Sequence, residues 1–312
     1  MQISVVVPVY NSAASLPALV ARLQPVLEQT ADAFELVLVN DGSRDESWDV
    51  ITKLSSAHEW IHGINLMRNY GQHSALLCGI RQARYDAIVT IDDDLQNPPE
   101  EIPRLLARLE EGFDVVYGTP EHQRHGIWRD LASVVTKLAL RGAMGSAIAR
   151  DISAFRVFRR QLRNAFQNYQ SSFVSIDVLL TWGTSRFSSV RVRHDPREHG
   201  ASNYSFYKLL THGVNMMCGF STLPLQVASA MGFICTLFGV GVLAYVLGAY
   251  WWHGGSIPGF PFLASTMAIL GGTQLFALGV IGEYIARMHF RMMERPPYAV
   301  RDKTESGVQN EP

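Results

Sequence analysis

From Leu209 to Gly282 the chain contains no Asp, Glu, Lys or Arg, although the two hundred residues before it carry charge at ordinary density. A bilayer is the natural solvent for so long an uncharged stretch. Within it, residues 225–250 and 262–285 are each long enough, at helical rise, to cross about 30 Å of hydrocarbon. Their connection, residues 253–259, lacks Lys and Arg, whereas Arg287, Arg291 and Arg295 follow the second span. Positive charge collects on the cytoplasmic side, which predicts a multi-pass inner-membrane protein whose hairpin has both ends inside, with Trp251 and Trp252 at the outer interface. Upstream, residues 204–217 set Phe206, Leu209, Leu210 and Met217 against Lys208, His212 and Asn215, the pattern of a helix lying in the membrane interface. Ala228 and Gly232 offer a small-residue packing face, compatible with a dimer or tetramer.

The N-terminal part obeys other rules. Residues 3–9, 34–39, 61–66, 87–91 and 115–117 are short, β-branched and nearly all apolar, as strands buried on both faces must be. Between them, residues 16–29, 46–58, 73–84 and 99–111 have helical spacing. Strand and helix alternate, so an open, mostly parallel α/β sheet is expected. Ser43 with Glu46 suggests a capping box, Asn97-Pro98-Pro99-Glu100 a capped helix start, and Gly112 a helix end. Beyond Gly112, residues 128–140 and 174–182 look helical, and 153–158 and 188–194 extended. The run at 3–9 is too short for a signal-peptide core, and the tail from about Asp302 reads as disordered.

Several classes of function find no support. Net charge is −1, which supplies no basic field for nucleic acid. Cys78, Cys218 and Cys235 are scattered, in neither a disulfide framework nor a zinc spacing. The ten histidines make no HExxH, and GxSxG, a Walker A loop and a GxGxxG after the first strand are all missing. His73 reads as a helix-start or core histidine rather than a base.

In an open parallel sheet, ligands bind beyond the carboxyl ends of the strands. There the sequence places Tyr10-Asn11, Asn40-Asp41-Gly42-Ser43, Arg68-Asn69-Tyr70-Gly71 and Asp92-Asp93-Asp94-Leu95-Gln96. Adjacent carboxylates repel unless a cation sits among them. On an extended segment Asp92 and Asp94 project to one side with Gln96 in step, and Asp93 points away. Such hard oxygen ligands suit Mg²⁺ or Mn²⁺; the bland alternative is an acidic turn capping the next helix. Asp41 could accept a nucleobase N–H, although taken alone a tight Asp-Gly turn is the better reading. Arg129 and Ser133 lie one helical turn apart, and Asp151, Arg156, Arg159 and Arg160 follow, with Arg159 and Arg160 reading as a solvated basic face. Arg197, near Gly200 and Ser202, is open to both a diphosphate-binding and an ordinary loop reading.

Val7-Pro8-Val9-Tyr10-Asn11, Asn40-Asp41-Gly42-Ser43, Arg68-Asn69-Tyr70-Gly71-Gln72-His73 and Asp92 through Glu101 together resemble the polyprenyl-phosphate glycosyltransferases of family 2, GT-A type, across essentially the whole chain. The resemblance implies a GT-A nucleotide-sugar domain at 1–203, an interfacial helix at 204–222, two transmembrane helices at 223–286 and a cytoplasmic tail at 287–312. It implies inverting, metal-dependent transfer of a sugar from a UDP- or GDP-sugar to an undecaprenyl or dolichyl phosphate at the cytoplasmic face. Asp92, Asp94 and Gln96 would ligate Mg²⁺ or Mn²⁺. Pro8, Val9, Tyr10, Asn11, Asp41, Asp92, Asp93 and Arg197 would hold the donor, and Arg129 with Ser133 the acceptor phosphate. Asp94, Asp151 and Arg156 would be the catalytic group, Asp151 as acid-base residue or as an orienter of the arginines. The sequence departs from the family pattern at Ser12, Asn203 and Ala154. A processive polysaccharide synthase and a non-catalytic nucleotide-binding protein are the alternatives.

Overall fold

The computed structural model describes residues 1–120, 151–171, 173–195, 223–253, 259–293 and 295–304. The helices expected at 128–140 and 204–217 lie outside these residues, as does most of the 253–259 connection. The chain divides into two units, Met1–Leu209 with Glu294–Pro312, and Leu210–Met293.

The first unit is built on eight strands: β1 (Gln2–Val9), β2 (Ala33–Asn40), β3 (Ile61–Leu66), β4 (Ala87–Thr90), β5 (Val115–Pro120), β6 (Arg156–Arg159), β7 (Phe187–Val192) and β8 (Val300–Lys303). They lie in one sheet in the order β7-β5-β6-β4-β1-β2-β3-β8. Strands β1 to β4 pair in parallel, as do β5 and β7, while β6 and β8 run antiparallel to their neighbours. Among the described residues, five α-helices accompany the strands: α1 (Leu16–Thr30), α2 (Ser47–Ala57), α3 (Gln72–Gln82), α4 (Ile102–Glu110) and α5 (Ile176–Thr181). The apolar strands are buried on both faces, as their composition demands. Val5, Val7 and Val9 of β1 and Leu36 and Leu38 of β2 share a core with Leu16, Leu19, Leu23 and Leu27 of α1. Each such side chain contributes roughly 1.5–3 kcal/mol by leaving water. On the opposite face α3 approaches so closely that a Cβ on Gly79 would stand 2.4 Å from Val6 Cγ1 and 3.1 Å from Val39 Cγ2.

The antiparallel course of β6 matters for the site. A chain entering β6 does so at the edge where β4 and β5 end, so residues 151–155 arrive beside the loops that follow the parallel strands.

Several local expectations are corrected. Ser43 does not cap α2, because its hydroxyl accepts the Asn11 N–H at 2.9 Å; Asp45 Oδ1 instead accepts the N–H and hydroxyl of Ser47 at 3.1 and 2.6 Å. Asn97 makes no cap: Pro98 precedes a 3₁₀ turn, Pro99–Glu101, that runs into α4. Gly112 ends α4 as expected, at φ +101°. Asp302 and Lys303, at the start of the stretch expected to be disordered, instead belong to β8, which adds to the edge of β3.

In the second unit, α6 (Leu223–His253) packs against α7 (Phe260–Met292). Segments Pro224–Gly248 and Ile269–His289 have mean hydropathies of 2.2 and 1.4, and both are long and apolar enough to cross a membrane. The Cys235 thiol donates to Thr273 Oγ1 at 3.5 Å between the helices. Phe233, Leu243, Leu275, Trp251 and Trp252 are all exposed. Ala228 is buried, but a Cβ on Gly232 would meet no atom within 4 Å, so within this chain the two do not form one packed face between the spans.

Candidate active site

At the carboxyl edge, four loops close on one cleft of about 240 Å³, lined by Pro8, Val9, Tyr10, Asp41, Asn69, Gly71, Gln72, Asp92, Asp93 and Asp94. The loops hold one another through backbone donors. Asp41 is buried; its Oδ1 accepts the N–H of Tyr70 at 2.7 Å and its Oδ2 that of Gly71 at 2.8 Å. Burial pushes the Asp41 carboxyl above its ordinary range, against the pull of those two donors. Asp41 thus shapes the β3–α3 loop as well as facing the cleft. Asn11, at φ +54°, does similar work: its Oδ1 accepts the Arg44 N–H at 2.8 Å, and it does not line the cleft. Gly42, at φ +65°, lies so near the third loop that a Cβ would fall 2.5 Å from Arg68 C and Asn69 N.

The aspartates stand on a turn, which corrects the strand-alternation argument. β4 ends at Thr90, and Leu95 adopts φ +60° with its side chain in the core, so residues 91–96 bend. A non-glycine residue in the left-handed region persists only where packing over-determines it. In consequence Asp93 does not point away; it lines the cleft, and its Oδ2 accepts the Tyr10 N–H at 3.4 Å. Burial raises the Asp93 carboxyl and the Asp94 charge adds to the effect, against hydrogen bonds from Ser12 and Tyr10. Asp92 Oδ1 accepts from Gln72 Nε2 at 2.7 Å, and Asp94 Oδ1 from the Gln96 N–H at 3.2 Å. Gln96 is not among the lining residues, and its carbonyl accepts the Asp195 N–H at 2.9 Å.

Among the described residues, no three His, Cys, Asp or Glu side chains are grouped to enclose an ion. The donor set nevertheless fits Mg²⁺ or Mn²⁺ of the kind that keeps waters and is bound by one or two carboxylates plus substrate phosphates. Asp92 and Asp94 on one cleft wall are such a pair.

Asp151 lies at the same edge. Its Oδ2 accepts the Ser189 hydroxyl at 2.7 Å, its carbonyl accepts that of Thr119 at 2.9 Å, and Arg191 stands 3.7 Å from its Oδ1. Arg156, expected in the catalytic group, is only 1% exposed. Its guanidinium is paired with Asp177, donates from Nε to Thr90 Oγ1 at 3.1 Å, and shares Asp177 Oδ1 with the Tyr117 hydroxyl at 3.0 Å. Burial, and then the Asp177 charge, holds Tyr117 well above its ordinary pKa. Arg156 is therefore buried beneath the end of β4, its guanidinium committed to Asp177 and Thr90.

Comparison with known proteins decides the class of this site. Residues 4–165 match the family described as glycosyl transferase family 2. The chain belongs to glycosyl transferase family 2. Relatives named undecaprenyl-phosphate 4-deoxy-4-formamido-L-arabinose transferase bear out the resemblance to polyprenyl-phosphate glycosyltransferases. That of Pseudomonas syringae pv. syringae (strain B728a) is 35% identical over 96% of this chain and 89% of its own. That of Pectobacterium carotovorum subsp. carotovorum (strain PC1) is 35% identical over 98% and 94%. Crystal structures of glucosyl-3-phosphoglycerate synthase from Mycobacterium tuberculosis share the fold. Its complex with Mn²⁺, UDP and glucosyl-3-phosphoglycerate matches with TM-score 0.52 and 19% identity, over 70% of this chain and 77% of that one.

The cleft of this family 2 glycosyltransferase is lined also by residues that the sequence did not single out. Asn69, Gly71 and Gln72 line the cleft, and Gly42 lets two of its loops touch. The signal was present in the position of Arg68-Asn69-Tyr70-Gly71 after β3, which marks the loop without saying which atoms face inward. His73 is structural as expected, its Nδ1 lying 3.3 Å from the Ile176 N–H. Arg159 and Arg160 pair with Asp114 and Asp86 at the surface, matching the bland reading. Arg129, Ser133 and Arg197 lie outside the described residues.

Proposed function

We propose that the enzyme moves a sugar from a UDP-sugar to undecaprenyl phosphate in a single inverting displacement at the cytoplasmic face of the inner membrane. The observation that carries this is one cleft uniting the Asp92–Asp94 turn with the Asp41-held loop, in a chain that also has two bilayer-length apolar helices. Relatives named for undecaprenyl phosphate support the acceptor, and the Mn²⁺ and UDP of the related fold support the donor.

In this reading Pro8 to Tyr10 and the Asn69 to Gln72 loop receive the nucleoside, and Asp41 keeps that loop in register. Asp92, steadied by Gln72, and Asp94 would hold a divalent ion, which would supply positive charge to a departing diphosphate. A phosphate oxygen of the acceptor forms the new bond to the anomeric carbon as the bond to the diphosphate breaks, and the nucleoside diphosphate leaves. A phosphate monoester with a second pKa near 6 is already largely dianionic at neutral pH, so orientation matters more than a strong base. Arg129 and Ser133 are assigned to the acceptor phosphate, Arg197 to the donor diphosphate, and Asp151 to the acceptor side of the site.

The test is to incubate purified full-length protein with UDP-, GDP- and dTDP-sugars and undecaprenyl phosphate, with Mn²⁺ or Mg²⁺ or with a chelator. Lipid-linked sugar formed from a UDP-sugar only with metal is expected. Nucleotide binding without turnover under every condition would overturn the proposal in favour of a non-catalytic protein. For topology, cysteines introduced as Ser256→Cys and Ser306→Cys should label from outside and only from inside, respectively; the reverse pattern defeats the assignment.

A further inference from the structure

The chain after α7 returns to the catalytic unit, and what it touches there is the root of the donor loop. Ala299 O accepts the Met67 N–H at 2.9 Å, and Arg301 Nη2 donates to Met67 O at 3.2 Å. Both backbone polar groups of Met67, a residue itself 50% exposed, are therefore held by the tail. Met67 immediately precedes Arg68 to Gly71, whose last two N–H groups are bound by Asp41. Farther along, Thr304 Oγ1 accepts the Gly63 N–H at 2.8 Å and the Thr304 N–H donates to Gly63 O at 2.9 Å. A side-chain relay runs alongside: Asn65 donates to Asp302 at 3.5 Å, Asn40 to Asn65 at 2.8 Å, and the Ser43 N–H to Asn40 at 3.3 Å. All four residues of β8 are exposed, so the strand adds little to the apolar core. What it supplies is directional, and it is aimed at the second and third loops of the cleft.

Resting on the donor-site reading above, we propose that residues 299–304 are a positioning element for sugar-nucleotide binding, fixing the loop that starts at Met67. The competing role for such a strand is simple coverage of the exposed edge of β3. Coverage predicts a general loss of stability, whereas positioning predicts a loss confined to the donor.

The two roles are separated in the membrane-embedded protein by a stop after Tyr298 and, in the full chain, by Arg301→Ala and Arg301→Lys. The measurements are the apparent KM for the UDP-sugar, the apparent KM for undecaprenyl phosphate, and amide hydrogen exchange at residues 67–71. The truncation should raise the donor KM about 10-fold and speed exchange at 67–71 by a similar factor, with the acceptor KM within about twofold. Arg301→Ala should raise the donor KM about 3-fold, and Arg301→Lys should recover most of that. An unchanged donor KM, or equal shifts in both substrates, overturns the proposal. If the truncated chain fails to fold, the Arg301 pair decides by the same criteria. A wild-type protein that binds no sugar nucleotide defeats the donor-site reading instead, and exchange at 67–71 in Arg301→Ala then still decides whether the tail orders the loop.

Discussion

Gly42→Ala is the sharpest test of how the cleft is assembled. Gly42 sits at φ +65°, and an added Cβ would lie 2.5 Å from both Arg68 C and Asn69 N. Two costs follow. An L-residue in the left-handed region loses about 1–2 kcal/mol. The contact must also open from 2.5 Å to at least 3.4 Å, where ordinary packing begins, a displacement of about 1 Å. The obstructing atoms are backbone, so no side-chain rotation relieves them, and the Arg68 to Gly71 loop must move away from Asp41 or the β2–α2 turn must lift. A misplacement of about 1 Å at a binding site costs on the order of 100-fold in catalytic efficiency. The expected result is a drop of about that size in kcat/KM for the sugar nucleotide, with a matching loss of affinity by calorimetry and a smaller change in the KM for polyprenyl phosphate. Retention of donor affinity within about threefold would refute the idea that the two loops must touch.

Asp94→Asn should reduce transfer by about 100-fold or more without unfolding the protein, because it removes anionic charge from a hard-cation wall at nearly constant volume; metal-dependent turnover near the wild-type rate would remove Asp94 from the ion's ligands. Arg156→Leu should cost about 3–5 kcal/mol by leaving Asp177 charged, buried and unpaired, while Arg156→Leu with Asp177→Leu should recover most of the loss in denaturant unfolding; additive losses would show the pair to be uncoupled. Burial, and next the charge of Arg84, hold the His62 pKa below its ordinary value, so between that lowered value and about 6.5 the unfolded chain binds more protons than the folded one. That contribution to stability is complete above about pH 6.5 and declines as pH falls, and His62→Gln should flatten this part of the profile in thermal unfolding across pH 5 to 8; an unchanged slope would rule His62 out.

The sheet was legible because its signal is redundant. β1, β2 and β4 are apolar over nearly their whole length, and the expected span 61–66 matches β3 to the residue, its buried ends Ile61 and Leu66 giving way to the half-buried Trp60 and the exposed Met67. Composition cannot report direction, however. Residues 153–158 read as extended, but nothing in their pattern tells that β6 inserts antiparallel between β4 and β5, and it is that reversal which delivers Asp151 to the site edge. Likewise β8 hides in a charged tail. Its four residues are exposed, so it leaves no hydrophobic trace, and its ladder with β3 is made by backbone groups that leave no mark in the sequence.

Alternation fails for the aspartates because the strand stops before it reaches them. Alternation assigns Asp92 and Asp94 to one side and Asp93 to the other only while the backbone stays extended, and β4 ends two residues before the first aspartate. The left-handed Leu95, anchored by its buried side chain, turns the segment so that all three carboxylates line the cleft. Arg156 is the converse case. It falls within β6, where alternation does hold, and its inward position sets it under Thr90 against Asp177 and Tyr117 rather than beside the ligand. A buried arginine at that depth requires a carboxylate partner, and Asp177, in the first turn of α5, supplies it. The pair ties β4, β5, β6 and α5 together one residue before the chain leaves the sheet for the aspartate turn. Because Arg156 Nε reaches Thr90 Oγ1 at the last residue of β4, the pair braces the strand end from which the aspartate turn departs.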